Sequence, residues 1–145
     1  MKENSFNLDV DARYFLVCFN TTCPQSGNCL RYAVGAEASK TRQCGLTVYP
    51  SAVINGHCQF FRAKEKVELA WGLQGLRGKV PHHLHATVRR LITNYLGSVG
   101  TYYRYNDGTR KFSPTQQEYI KKLLADLGCP IERPFDQYVE SYDVT

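Results

Sequence analysis

At 145 residues the chain has the length of one domain, enough to bury a core without disulfide or metal staples. A hydrophobic content of 43% and a charged content of 21% exclude a disordered or fibrous protein. The net charge is about +1 over residues 1–61, +8 over 62–122 and −4 over 123–145. The middle of the chain is therefore suited to face a polyanion or to be neutralised by the acidic end of the chain.

The first part of the chain, residues 12–62, is predicted to combine short strands with a cysteine-rich loop. An apolar run at 14–19 indicates a strand that Cys18 ends, and the Pro, Gly, Ser and Asn residues that follow indicate an irregular loop. Residues 30–34 favour a helical turn. Short strands are expected at 46–49 and 58–61, the second directly after an Asn55-Gly56 turn signal.

The second part, residues 63–128, changes to helical periodicity. A short helix is predicted near 63–72, and a Gly-rich turn at 75–78 follows it. The clearest amphipathic pattern predicts a helix over 82–96 that Gly97 caps. Its apolar positions are Leu84, Val88, Leu91, Ile92 and Tyr95.

Two more elements are expected before the acidic end of the chain. Asp107-Gly108 lies between a tyrosine-rich run and a basic run, which predicts a β-hairpin over 101–112. Ser113 and Gln116 have the spacing of a capping box at the start of a helix, and Gly128 with Pro130 would end that helix.

The acidic segment, residues 129–145, carries large apolar residues at helical spacing and is predicted to be a short docked helix. The combined pattern predicts an α+β fold in a single domain, residues 1–145. A small cysteine-rich strand and loop zone (12–62) would pack on a helical region with a β-hairpin (63–128), and the acidic tail (129–145) would dock across it.

The cysteines point to specific chemistry. No apolar run is long enough to span a membrane and the first residues lack the apolar core of a secretory signal, so we expect a cytoplasmic protein whose thiols stay reduced. Four thiolates from a loop and a later strand are typical of zinc sites and, alternatively, of iron–sulfur clusters. The predicted ligands are Cys18, Cys23, Cys29 and Cys58. Unliganded buried thiols, disulfides and a thiol-based redox sensor remain open.

Nucleic-acid binding is predicted from the basic middle of the chain. A helix, a turn, a second helix with a basic polar face and a basic hairpin follow one another in the order of a helix-turn-helix with a wing. The candidate contacts with DNA or RNA are Arg89, Arg90 and Asn94 on the second helix and Arg104, Arg110 and Lys111 on the hairpin.

Two other functional classes are weighed beside nucleic-acid binding. The tyrosine-rich run at 102–105 equally suits the contact surface of a protein-interaction module, because tyrosine and arginine are enriched in interface hot spots. The sequence contains no Gly-rich phosphate loop, nucleophile elbow, paired-carboxylate motif or metalloprotease helix. It therefore favours a binding protein over an enzyme, and no catalytic residue is predicted.

Several short motifs together carry a resemblance to a known group of proteins. They are Cys18-Phe19-Asn20 with Cys23-Pro24, Cys29-Leu30-Arg31-Tyr32, Cys58 with Phe60-Phe61, the run from Gly100 to Tyr105, Ser113-Pro114 with Gln116-Gln117, and Phe135-Asp136 with Tyr138. The combination resembles a family of small, functionally uncharacterised bacterial proteins from anaerobic gut bacteria. The resemblance implies a cytoplasmic bacterial protein and brings no activity with it.

Overall fold

The structure is a computed structural model that describes residues 15–144. Tyr14, at the start of the predicted first strand, lies outside the described residues. The chain divides into two compact units: the first holds the described residues up to Lys66 together with Val144, and the second runs from Val67 to Asp143. Helices and short two-stranded sheets occur together, so the fold is α+β, as the sequence predicts.

The described residues of the first unit form four two-residue strands and one α-helix. In chain order they are β1 (Val17–Cys18), α1 (Leu30–Ala38), β2 (Thr47–Val48), β3 (Val53–Ile54) and β4 (His57–Cys58), with 3-10 turns at Ser26–Asn28 and Pro50–Ala52. β1 pairs with β2 in parallel, which places Cys18 opposite Val48. β3 and β4 form an antiparallel hairpin through Asn55 and Gly56, whose φ angles of 52° and 76° fit the predicted two-residue turn.

Helix α1 is longer than the single turn that the sequence indicated, and it packs closely on β1. Its buried positions are Leu30, Val34, Gly35 and Ala38, a helical stripe that faces the core of this unit. A Cβ atom added at Gly35 would lie 2.5 Å from the backbone oxygen of Cys18. The absence of a side chain at Gly35 is therefore what allows α1 to approach the strand that carries Cys18.

The second unit contains most of the helical residues. Its elements are β5 (Lys66–Trp71, whose first residue belongs to the first unit), α2 (Leu76–Lys79), a 3-10 turn at His82–Leu84, α3 (His85–Leu96), α4 (Val99–Asp107), α5 (Pro114–Asp126) and β6 (Gln137–Tyr142). β5 pairs with β6. Ala70 and Phe112 also exchange two backbone hydrogen bonds, with N–O distances of 3.2 and 2.6 Å.

One apolar cluster forms the core of the second unit. Tyr105, Phe112 and Phe135 form a continuous aromatic stack, with ring centroids 4.4 and 4.6 Å apart. The other buried members are Ala70, Leu73, Leu76, Val80, Val88, Ile92, Ile120 and Leu124. Gln117 is buried among them, and its side-chain amide donates to the carbonyl oxygens of Glu68 and Phe112.

The predicted ends of the two long helices are confirmed. Gly97 ends α3 with a φ of 99°, and the Ser98 side chain then accepts a hydrogen bond from the Thr101 amide and caps α4. Ser113 and Gln116 form the predicted capping box at the start of α5. These local signals fix where α3 ends and where α5 begins.

The predicted hairpin over 101–112 is wrong, because residues 99–107 form helix α4. Helical spacing directs Tyr105 into the core, where it is 2% exposed, while Tyr102 packs partly buried against the same core. Gly108 adopts positive φ, as a hairpin turn requires, but here it ends the helix, and the Trp71 ring lies 2.9 Å from where its Cβ would be. The Asp-Gly signal therefore marks a helix end.

Two predicted helices are strands. The apolar residues of 63–72 fit a helical stripe, but residues 66–71 form β5, since Ala70 pairs with Phe112 and the strand pairs with β6. In the acidic tail, residues 137–142 form strand β6, which pairs with β5, and not the predicted helix. The helix-turn-helix with a wing is therefore wrong as an architecture, since its first helix is a strand and its wing is a helix.

Candidate functional site

Four of the six cysteines line one small cavity in the first unit. Cys18 ends β1, Cys23 lies in the following turn, Cys29 directly precedes α1, and Cys58 ends β4. The cavity has a volume of about 20 Å³. On this measure a single water needs roughly 10–15 Å³, so the cavity has room for one atom-sized guest. These four residues are the ones that the sequence predicts as metal ligands.

The thiols share this cavity without forming a closed ligand set. All six cysteines are free. Over residues 15–144, no three His, Cys, Asp or Glu side chains are grouped closely enough to hold a metal ion. Cys44 is exposed and lines a different groove of the first unit, and Cys129 belongs to the second unit.

Backbone hydrogen bonds shape the loop that carries Cys23 and Cys29. The Ser26 amide donates to the Cys23 carbonyl oxygen at 3.1 Å, and the Cys29 amide donates to the Ser26 carbonyl oxygen at 3.3 Å. The amide of Asn20 donates to Sγ of Cys18 at 3.5 Å. A backbone amide that points at a sulfur stabilises negative charge on it, which is the arrangement found around metal-bound thiolates.

Arg31 ties together two of the segments that carry cysteines. Its Nε donates to the carbonyl oxygen of Phe60 at 2.7 Å, and its Nη1 donates to the carbonyl oxygen of Leu16 at 3.0 Å. Leu16 lies two residues before Cys18, and Phe60 lies two residues after Cys58. The guanidinium therefore links the strand that carries Cys18 to the turn that follows Cys58 through two hydrogen bonds.

Arg31 also brings a positive charge to the cysteine cavity, which it lines. Burial lowers the pKa of Arg31 and the nearby Arg62 lowers it further, whereas Cys29 and Cys58 act in the opposite direction. An arginine stays protonated in spite of such shifts. Arg31 therefore places a cation, held by its two backbone hydrogen bonds, at the edge of the cysteine cavity.

Further hydrogen bonds join the cysteine loop to the segment after β4. The amide of Cys58 donates to Oε1 of Gln25 at 3.4 Å. The backbone amide of Leu30 donates to the Arg62 carbonyl oxygen at 2.7 Å, and the backbone amide of Lys64 donates to the Asn28 carbonyl oxygen at 2.9 Å. The segments that carry Cys23, Cys29 and Cys58 are thereby linked by hydrogen bonds that involve no sulfur atom.

The predicted nucleic-acid contacts occupy several different environments in the second unit. Arg89, Arg90 and Asn94 are exposed on α3, and Arg104 is exposed on α4. Arg110 lies over the Tyr105 ring, 5.2 Å from its centroid, and Nζ of Lys111 donates to the Gly108 carbonyl oxygen. The last two residues support the end of α4, so they do not form the exposed wing that was expected.

Arg89 is the predicted contact that the structure places beside aromatic rings. Its guanidinium lies 5.4 and 5.6 Å from the ring centroids of Tyr102 and Tyr103, and its Nη2 donates to the Tyr103 hydroxyl at 2.8 Å. Burial raises the pKa of Tyr102, although Arg89 and Arg77 act to lower it. Tyr105 is buried and therefore cannot contact a partner, whereas Tyr103 is 51% exposed.

Sequence reasoning missed the residues that position the cysteines. Arg31 and Gln25 lie within or beside the cysteine loop, but nothing in their spacing indicates the contacts that they make with residues about 30 positions away. Gly35 directly follows the predicted helical turn at 30–34. A glycine next to a helical pattern can signal a close approach of two backbones, and that signal was available in the sequence.

Comparisons with known proteins identify a family and no activity. The model of a family described as being of unknown function, DUF6078, matches residues 1–144. No curated protein and no solved structure gives a significant match. Within the described part of the chain, no helix has the length and apolar character needed to cross a bilayer.

Proposed function

This chain belongs to DUF6078, a family of unknown function, and we propose from its own residues that it is a metal-stabilised protein whose first unit holds one zinc ion. The proposed ligands are Cys18, Cys23, Cys29 and Cys58. The observation that carries the proposal is that all four cysteines line the same cavity although they are spread over 41 positions of the sequence. Zinc accepts four thiolates in a tetrahedral site with Zn–S distances of about 2.3 Å.

The size of the cavity favours one ion over a cluster. A cavity of about 20 Å³ is of atomic size, whereas an iron–sulfur cluster contains several iron and sulfide atoms. The Asn20 amide and the Arg31 guanidinium lie beside the thiols and would stabilise the negative charge of a tetrathiolate site. Metal binding would require the four thiols to converge, so zinc binding and the local folding of this loop would be coupled.

A cytoplasmic location, in a bacterium, is part of this proposal. Thiolate ligands must stay reduced, and the cytoplasm keeps cysteines reduced whereas secretory compartments oxidise them. A thiol-based redox sensor is the alternative use of the same residues. It would release metal or form a disulfide when oxidised, while a structural site would keep its metal.

Elemental analysis of protein purified without oxygen tests the zinc site. We expect about one zinc per chain, lost in Cys23→Ser and in Cys58→Ser and retained in Cys44→Ser, which changes an exposed thiol that lines a different groove. After cobalt substitution, intense d–d and thiolate charge-transfer bands would report tetrahedral thiolate ligands. Absence of zinc together with no uptake on titration would contradict the proposal, and iron with a brown chromophore would replace it with an iron–sulfur site.

The second candidate function is nucleic-acid binding through the exposed basic residues of α3 and α4. Residues 62–122 carry a net charge of about +8, and Arg89 is already oriented by two tyrosines. Oligonucleotide binding that weakens steeply as salt rises would support this function. Failure to bind at low salt would exclude it, and a salt-insensitive oligomer of the chain would favour the protein-interaction module instead.

A further inference from the structure

The second unit contains a groove bordered by α2, the start of α3 and α4. Its volume is about 780 Å³, within the range of roughly 300–1,000 Å³ that is typical of small-molecule sites. Leu73, Leu76, Val80 and Val88 provide apolar lining from residues that are themselves buried in the core. The groove therefore has a fixed apolar floor, and its polar groups lie on helices that this floor supports.

The charged side chains that line the groove are cationic. Arg77 and Arg89 line it, together with His82 and His85, and no carboxylate is among its described lining residues. Asp136 influences the ionisation of Tyr102, but its oxygens already accept hydrogen bonds from the amides of Gln74 and Gly75. The groove is thus suited to an anion.

Aromatic rings accompany this positive charge. Tyr102 and Tyr103 line the groove, and the Arg89 guanidinium lies over both rings. Its bond to the Tyr103 hydroxyl uses one of the five N–H donors of arginine. Tyr103 is exposed and Tyr102 is partly buried. A cation held beside accessible aromatic rings is the combination that single-stranded nucleic acids recognise, with phosphate on the cation and base on the ring.

Two polar side chains in the groove have their orientation fixed by backbone contacts. Oδ1 of Asn106 accepts from the Leu73 amide at 2.9 Å, which commits the oxygen and leaves the Nδ2 group as a donor. Nε2 of His85 lies 2.8 Å from the Val80 carbonyl oxygen, which can only accept, so this nitrogen is the donor and the orientation of the ring is fixed. Polar side chains held in fixed orientations are what recognition of a base edge requires.

We propose that this groove binds one nucleotide of a single-stranded nucleic acid, with its base against Tyr102 and Tyr103 and its phosphate on Arg77 and Arg89. The inference rests on the second candidate function, nucleic-acid binding, and names its ligand and its site. It also departs from that function in one respect. A general basic face would accept duplex and single strand alike, whereas stacking needs an unpaired base.

Fluorescence anisotropy with the full chain tests the groove. The probes are a ten-residue oligouridine, a duplex of the same length, and heparin, which is a polyanion without bases. We expect oligouridine to bind more tightly than the duplex or heparin at the same salt concentration. Tyr103→Ala should weaken oligouridine binding about tenfold or more, because loss of one stacking platform has an effect of that size.

Matched variants separate the groove from the rest of the basic surface. Arg89→Gln and Arg90→Gln remove the same charge from adjacent exposed positions of α3, but only Arg89 lines the groove. We expect Arg89→Gln to weaken binding and to reduce the salt slope by about 1, and Arg90→Gln to have a smaller effect. Tyr119→Ala, which removes an exposed tyrosine on α5, is the aromatic control for Tyr103→Ala.

Two results would overturn the groove as the binding site. If Arg89→Gln and Arg90→Gln weaken binding equally and duplex binds as tightly as single strand, the groove is not the binding site, but binding by a general basic face still stands. If no probe binds at low salt, both the groove site and nucleic-acid binding itself are refuted. Circular dichroism spectra and melting temperatures of the variants verify that each is folded, which is expected because all the substituted side chains are exposed.

Discussion

Replacing Gly35 with alanine tests how the first unit positions Cys18. The new Cβ would lie 2.5 Å from the backbone oxygen of Cys18 and 3.4 Å from its carbonyl carbon and its amide nitrogen. Ordinary van der Waals contact begins near 3.4 Å, so α1 and β1 would have to separate by about 0.9 Å. The atom in the way belongs to the backbone, so no side-chain rotation relieves the clash.

Two opposing effects set the change in stability. Overpacking of this kind costs about 1–3 kcal/mol, and alanine is about 1 kcal/mol more favourable than glycine inside a helix. Because the clash is with rigid backbone, its cost lies toward the upper end of that range, and we expect a net loss of up to about 2 kcal/mol in the free energy of unfolding. Metal–ligand distances tolerate displacements of only about 0.2 Å. A movement of Cys18 by several tenths of an ångström should therefore also lower zinc affinity.

Urea unfolding and competition with a zinc chelator measure the two effects. Gly27→Ala is the matched control, because Gly27 lies in the same unit and a Cβ there meets nothing within 4 Å. If Gly35→Ala is as stable as Gly27→Ala, the close approach of α1 to β1 is refuted. If stability falls while zinc affinity stays unchanged, Cys18 is not a ligand.

Three further predictions concern the second unit. Phe112→Ala should lower the free energy of unfolding by about 3–5 kcal/mol, since this fully buried ring stacks on two others; a loss below about 1 kcal/mol in urea unfolding would contradict the described core. Ser113→Ala should cost about 1 kcal/mol in the same assay, with Thr115→Ala, in the first turn of α5, as its control; equal effects would argue against the capping box. Hydrogen bonds from Thr109 lower the pKa of Asp107, so the stabilisation they give is present above the ordinary pKa of an aspartate and is lost as pH falls through the lowered value. Thr109→Val should raise the pKa of Asp107 in an NMR titration, and an unchanged pKa would refute the side-chain contact.

Elements with strong local signals were predictable from the sequence. Helices α3 and α5 each combine an apolar stripe with a marked end, at Gly97 for α3 and at Ser113 for α5, and both occur where they were expected. The turn at Asn55 and Gly56 is likewise fixed by the positive φ angles that its two residues adopt. In these segments the residues that decide the structure are neighbours in the chain.

The errors occur where distant pairing decides the structure. The segment 66–71 is short enough to fit both a helical stripe and a strand, and it becomes β5 because it pairs with β6, more than 60 residues away. Gly108 is a positive-φ position in either a hairpin or a helix end. The burial of Tyr105 on the tertiary core decided in favour of the helix, and local spacing alone did not reveal it.

In the candidate metal site too, some residues could be predicted from the sequence and others could not. The four proposed ligands could be named from the sequence because cysteine is itself a rare and informative residue. The contacts of Arg31 and Gln25 depend on where the segment after β4 folds back, which no local pattern specifies. That the cysteines bind zinc stays a prediction.

The packing of Trp71 against Gly108 gives the protein a built-in optical reporter. Trp71 is the single tryptophan of the chain, and its ring lies at the junction of β5 with the end of α4. Its emission should therefore shift to the red when the second unit opens, while the absorption of cobalt bound to the first unit would disappear when that unit opens. Recording both signals along one melting curve would show whether the two units unfold in a single cooperative step or independently.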